Sequence, residues 1–258
     1  MKIVRYCTQN AVSYGVLHEN GIEPILGEPW PSVVRSGAAA IPLNQVKLLA
    51  PVQPGKILAV GFNYRDHARE FNKPIPTVPN IFIKPDTSLA APDEPVILPS
   101  LYTRQVEHEA ELVVVIGKKA RFIPEEEALD YVLGYTCGND VTARDMQSPT
   151  NQWSVCKGFD TFAPIGPWIE TDLDASHLDI CMRVNGEIRQ TTNTKELIFS
   201  VPYLISYLSG CMTLNPGDIL FTGTTSGVSP VHDGDVMEVD IQSIGVLRNP
   251  VKRFEKGE

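Results

Sequence analysis

Glu109 and Glu111 stand one residue apart at the head of an apolar run in "VEHEAELVVVIG", with Glu107 two residues before them. In a β-strand successive side chains alternate faces, so these three glutamates share a face with Val113 and Val115. Ala110, Leu112, Val114 and Ile116 line the other face. A strand with one solvated side keeps alternating polar residues to its end, whereas this one turns apolar on both faces. The acids therefore belong at the rim of a core. Carboxylates crowded there need a cation, a proton or water to relieve them. The plainer alternative is an exposed strand end.

Four further places carry residues able to do chemistry. "NYRDHAREF" sets His67 and Glu70 at i, i+3, which on a helix puts imidazole and carboxylate on one face; a solvated charged turn is the alternative. "GNDVTARDMQ" ends a β-type run with Asp140 and follows with Arg144 and Gln147. An aspartate there also serves as an ordinary cap or turn residue. Lys157 lies among apolar residues in "WSVCKGFDTFAP", where a surface lysine snorkelling to water is the default. Thr224 sits in the glycine-bounded loop "FTGTTSGV", where any turn former would serve.

The elements that must position these residues are mostly strands. Short β-type runs begin at Ile57 and continue to the C-terminal region, separated by turn residues such as Asn185-Gly186 and Asp233-Gly234-Asp235. Helical candidates are few: "PEEEALDYV", with proline and acids in its first turn, and "SVPYLISYLSG". "YGVLHENGIEPIL" predicts a hairpin turning at Asn20-Gly21, and the proline-rich stretch after it reads as a connection. The expected organisation is a small N-terminal β domain with linker over residues 1–54, then a larger catalytic unit over 55–258. The fold class is mostly β with short helices (α+β).

Composition excludes several functions. The chain has 258 residues, with 22 Lys and Arg against 31 Asp and Glu, a net charge of −9. That sign speaks against nucleic acid or an anionic membrane as the main partner. No apolar run is long enough for a membrane span, and the first residues lack the apolar stretch of a signal peptide. The five cysteines are scattered without C-x-x-C spacing, which predicts a reduced cytoplasmic protein with no zinc–thiolate site. No G-x-G-x-x-G or P-loop spacing occurs, so nucleotide phosphate sites are not expected.

Taken in order, "VGFNYRDHARE", "FIKP", "EHEAELVVVIG", "GNDVTARDMQ", "CKGFDTFAPIGPW", "VNGEIRQ" and "GDILFTGT" resemble the fumarylacetoacetate hydrolase family over roughly Ile57 to Val251. The preceding unit resembles the N-terminal domain of some bacterial members. The resemblance implies a mixed β-sandwich roll, usually a homodimer, with a Mg²⁺ or Mn²⁺ site. The family's metal ligands fall on Glu109, Glu111 and Asp140, its base and orienter on His67 and Glu70, and an oxyanion-stabilising lysine on Lys157. Arg144, Gln147 and Thr224 would hold the substrate's carboxylate and carbonyl ends. Three carboxylates, one dication and Lys157 sum to zero, to which Arg144 adds a favourable charge for an anion. Thr225 stands where members commonly have proline, which predicts a looser loop, and Glu107 adds an acid at a variable position.

The reaction this implies is hydrolysis of a C–C bond in an acylpyruvate-type 3-oxo acid, the cation stabilising the enolate that develops. Water must attack the distal carbonyl, which gives His67 work as a base. Oxaloacetate decarboxylation needs the metal but no water, and isomerisation of 2-hydroxyhepta-2,4-diene-1,7-dioate needs proton transfer alone. A non-catalytic small-acid-binding relative would need no base, so the intact pair His67 and Glu70 argues against one.

Overall fold

The computed structural model describes residues 1–9, 11–148 and 152–254. Among these the strands form an eleven-stranded sheet, a five-stranded sheet and a two-stranded ribbon, with few short helices. None of those helices is long and apolar enough to cross a membrane.

The large sheet runs from Ala163–Glu170 through Val132–Asn139, Ala110–Ile116, Ile219–Phe221 and Ile57–Gly61 to Asn80–Lys84. After Asn80–Lys84 the chain makes one 3₁₀ turn at Asp86–Ser88. It then re-enters as Leu89–Ala90, paired in parallel with Ala163–Glu170 at the far side of this series. The six strands are thereby curled into a roll. Val113, Val115, Ala59, Phe82, Ile165 and Phe221 fill its inside. The opposite face, with Leu112, Val114 and Ile116, packs on the five-stranded sheet and on the helix Val201–Cys211. The alternation expected along Ala110–Ile116 is therefore real, and both faces are buried because each meets a different core.

The helix Val201–Cys211 forms where its signals predict. The Ser200 side chain accepts from Tyr203 N–H, proline occupies the first turn, and Val201, Leu204, Ile205 and Leu208 are buried at helical spacing. The "PEEEALDYV" segment instead becomes a 3₁₀ helix, Glu125–Tyr131, in which Ala128 is the buried residue. With so small an apolar anchor and a strand starting at Val132, nothing draws it into a regular α-helix. The N-terminal hairpin also turns one residue early. His18 pairs with Gly21, leaving Glu19-Asn20 as the loop, and the positive φ (126°) falls on Gly21 inside the pairing. The first strand, Lys2–Cys7, pairs with Ala163–Glu170, which extends the large sheet.

One end of the roll collects the ends of several strands. Ala110 pairs with Asn139, Val113 with Phe221, and Phe221 with Ala59. Glu109 and Glu111 therefore lie beside Asp140, beside the loop after Phe221, and beside the chain leaving Gly61 for helix α1 (Arg65–Glu70).

Candidate active site and metal centre

The glutamate strand is not continuous. Val106–Glu107 leaves the sheet to pair with Thr142–Ala143, and regular pairing of the large sheet resumes at Ala110. Across the break, Asn139 Oδ1 accepts from Glu109 N–H (2.9 Å) and Glu109 O accepts from Asp140 N–H (2.9 Å). Both bonds replace the lost ladder, so Glu109 is held as firmly as a strand residue.

Glu109, Glu111 and Asp140 are buried, and each offers a carboxylate oxygen within 4.8 Å of the others. Their surroundings divide them. Lys157 Nζ donates to Glu109 Oε2 (2.8 Å) and Asp140 Oδ2 (2.5 Å), while Arg144 Nη2 donates to Glu109 Oε1. Burial pushes the Glu109 carboxyl up, but Lys157 and then Arg144 outweigh it and hold the acid well below the usual range. Glu111 accepts from Gly223 N–H (2.6 Å). Burial, then the charges of Asp140 and Glu109, push it well above the usual carboxylate range. A divalent cation fits this donor set. The ligands are hard oxygens, and the one carboxyl driven toward its neutral form is the one such a cation would relieve.

Lys157 is thus a buried, paired ammonium and not a snorkelling surface residue. A second buried lysine, Lys84, escaped the sequence reading. It extends from the edge strand Asn80–Lys84 to donate to Asp140 Oδ1 and to Phe162 O (2.6 Å). Only the curl of the roll brings that edge strand across to Asp140. The signal was present in "NIFIKP", a lysine closing an apolar strand, but nothing local says what it meets. With Lys84 counted, Lys84, Lys157 and Arg144 give +3 against −4 for Glu107, Glu109, Glu111 and Asp140. Without a cation the cluster's formal charge is one from neutral, the same −1 that the three carboxylates give with Lys157 and Arg144, because Lys84 and Glu107 cancel.

Arg144 is clamped on three sides, donating from Nε to Glu107 (2.7 Å), from Nη1 to Gln147 Oε1 (2.5 Å) and from Nη2 to Glu109. Glu107 therefore sits outside the acidic trio and orients the arginine. Thr224 Oγ1 donates to Ala110 O (2.9 Å) and accepts from Gln190 Nε2 (2.8 Å), so its hydroxyl is anchored on the same strand start.

His67 and Glu70 come together on α1, with Nδ1 3.0 Å from Oε2. The imidazole stacks on Phe62 (5.4 Å between centroids) and meets Phe71 edge-on (5.0 Å). Burial raises the Glu70 carboxyl, but the hydrogen bonds from His67 and Gly227 N–H overcome this and leave it below the usual range. His67 faces Glu109 and Asp140 of the acidic trio, while Glu70 and Glu111 stand behind them, outside the cavity lining. His67, Glu109, Asp140, Arg144, Gln147, Lys157 and Thr224 line one cavity, together with Phe62 and Trp153. Its volume is about 10 Å³, room for about one water. A larger ligand enters only if part of the lining moves.

Thr225 does not loosen its loop. It is 1% exposed, and its hydroxyl donates to Asp66 Oδ2 (2.7 Å). The freedom gained without a proline ring is taken up by that bond.

Residues 56–252 match the family described as "Fumarylacetoacetate (FAA) hydrolase C-terminal", and residues 1–51 match "Rv2993c-like, N-terminal". An oxaloacetate tautomerase of Bos taurus (FAHD2A, mitochondrial) is 41% identical over 92% of this chain and 84% of its own. The crystal structure of a 5-carboxymethyl-2-hydroxymuconate delta-isomerase from Mycobacterium smegmatis superposes with a TM-score of 0.92 at 40% identity, covering 98% of this chain and 100% of that one. A fumarylacetoacetate hydrolase from Exiguobacterium antarcticum superposes at 0.84 with 32% identity, again over 98% and 100%.

Proposed function

The chain belongs to the fumarylacetoacetate hydrolase family, whose members are enzymes, and from that premise we propose that it hydrolyses a C–C bond in an acylpyruvate-type 3-oxo acid with the help of a divalent cation. The observation that carries this reading is His67, held by Glu70, facing across one small cavity Glu109 and Asp140, which with Glu111 form the acidic trio. A cation held by that trio would supply Lewis-acid polarisation of the 2-oxo acid's oxygens.

The chain's own residues supply the rest. Glu70 fixes the imidazole through Nδ1, which leaves Nε2 to take a proton from the attacking water. Lys157 has three N–H donors and, among the described residues, spends two on Glu109 and Asp140, so one is left for the oxyanion. Arg144 has five and spends three on the described residues, which leaves two for a substrate carboxylate beside Gln147 and Thr224. A dication changes the cluster's −1 to +1, which suits an anionic 2-oxo acid. The same reading carries a homodimer, which light scattering on the purified protein tests.

A second reading is proton transfer at C3 without hydrolysis. It is favoured by the tautomerase and isomerase names among the relatives, because His67 could equally move that proton. A panel of acylpyruvates, oxaloacetate and dienedioates, with Mg²⁺ and after chelation, separates the two. Acylpyruvate cleavage with the highest kcat/KM, lost on chelation, is expected. Ketonisation or isomerisation with acylpyruvates untouched would replace the first reading by the second.

A further inference from the structure

The segment that follows strand Ile219–Phe221 is bonded to α1 and to the residue leading into it at four of its residues. Thr222 O accepts from Asn63 Nδ2 (2.7 Å), just before the helix. Thr225 Oγ1 (2.7 Å) and Ser226 Oγ (3.0 Å) both donate to Asp66 Oδ2. Gly227 N–H donates to Glu70 Oε1 (2.9 Å). Asp66 in turn uses Oδ1 to accept from the His67 N–H (2.8 Å). The other edge of the same segment serves the acidic trio, through Gly223 N–H to Glu111 and Thr224 Oγ1 to Ala110 O.

Two glycines keep the segment from sliding. Gly223 (φ 102°) lies so close to Asn63 that an added Cβ would stand 2.6 Å from the Asn63 Cβ, and one on Gly227 (φ 96°) would stand 2.2 Å from Arg189 O. Both ends are therefore seated by close contact. What the middle adds is two hydroxyls aimed at one carboxylate, each bond charge-assisted. Helix α1 needs them: it has six residues, and its N-cap, Tyr64, makes no side-chain capping bond. So short a helix is not stable by itself.

We propose that Thr225 and Ser226, acting through Asp66, are positioning residues that set His67 in register with the acidic trio. They touch neither substrate nor metal ligands; they fix where the imidazole stands. The inference rests on the role proposed above for His67 and Glu70. It makes residues 223–227 a spacer between the two halves of the site, one edge on the acids and the other on the base.

The test is the double variant Thr225→Val with Ser226→Ala, which keeps shape and removes both hydroxyls. Acetylpyruvate hydrolysis at saturating Mg²⁺ should lose about tenfold in kcat with KM within about twofold, a loss of ~1.4 kcal/mol of transition-state stabilisation. Calorimetric Mg²⁺ affinity should be unchanged. Thr225→Ser with Ser226→Thr, which keeps both hydroxyls, should restore kcat, and Asp66→Asn should reproduce the loss without removing any buried methyl. Hydrogen exchange of the Ala68 and Phe71 amides should quicken in the double variant. If kcat and exchange are unchanged while His67→Ala abolishes hydrolysis, the positioning role is wrong and the base survives. If His67→Ala is itself without effect, the reading of the base has failed, and the positioning role falls with it.

Discussion

The two halves of the site are held by different means. Glu109, Glu111 and Asp140 grow from the central ladder, where Ala110–Ile116 pairs on both sides and the break at Glu109 is closed by two backbone-directed bonds. His67 and Glu70 stand on a six-residue helix tied to its neighbours by Asn63, Asp66 and Glu70 side chains. Moving the acids means breaking a sheet, whereas moving the His67–Glu70 pair means breaking a handful of side-chain bonds. The first half is built to hold charge in place. The second is the part of the cavity wall that can open at low cost.

The strongest challenge to this contrast is Asp140→Ala. Asp140 bridges Lys84 and Lys157, so removing it leaves the buried Lys84 ammonium without a carboxylate and Lys157 with Glu109 alone. Activity should vanish, and urea unfolding should show a loss of about 3–5 kcal/mol. A variant as stable as the parent would mean that the ladder half does not depend on its charge pairing.

His67→Ala comes next. Hydrolytic kcat should fall ~10²–10⁴-fold, with a modest loss of thermal stability from the missing ring contacts to Phe62 and Phe71 while the helix keeps its other ties. Oxaloacetate decarboxylation should fall only about tenfold. Glu70→Gln should show the same order more mildly. Equal large losses in both reactions would assign the pair to a shared step instead of water activation.

Glu111→Gln sharpens the ladder side. Mg²⁺ affinity, measured by calorimetry, should drop by at least about tenfold. In the chelated protein the sign of the stability effect reverses. The folded-state pKa of Glu111 is raised above its ordinary 4.5, so its favourable protonated contribution is full below that value and is lost as pH rises. Glutamine has no proton to lose, so the chelated variant should gain on the chelated parent as pH goes from 5 to 8. Parallel curves over that range would show that the acidic trio is not strained without metal.

The smallest effect concerns exchange alone. Saturating oxalate should slow exchange of the α1 amides and leave Val113 and Val115 unchanged, since the latter already exchange only through wide opening of the ladder. Identical α1 exchange with and without oxalate would make the helix a fixed wall.

Much of this was legible in residue order. The alternation in "EAELVVVIG" predicts one face of acids running into an apolar face, and the i, i+3 spacing of His67 and Glu70 predicts their contact. The helix at Val201–Cys211 announces itself through Ser200, proline and apolar period. Such features survive translation from sequence because they depend on neighbours within a few residues.

What needed the tertiary structure is every contact between strands distant in the chain. Lys84 reaches Asp140 only because six strands curl until the edge strand lies across the sheet's far side, and no local pattern encodes that closure. Thr225 reads as a loosened loop until α1 brings Asp66 to its hydroxyl. Local spacing, then, determined which side chains share a face or a helix turn. The curl of the sheet decided which buried charges meet, since a lone buried charge is too costly and its partner must come from wherever the fold can supply one.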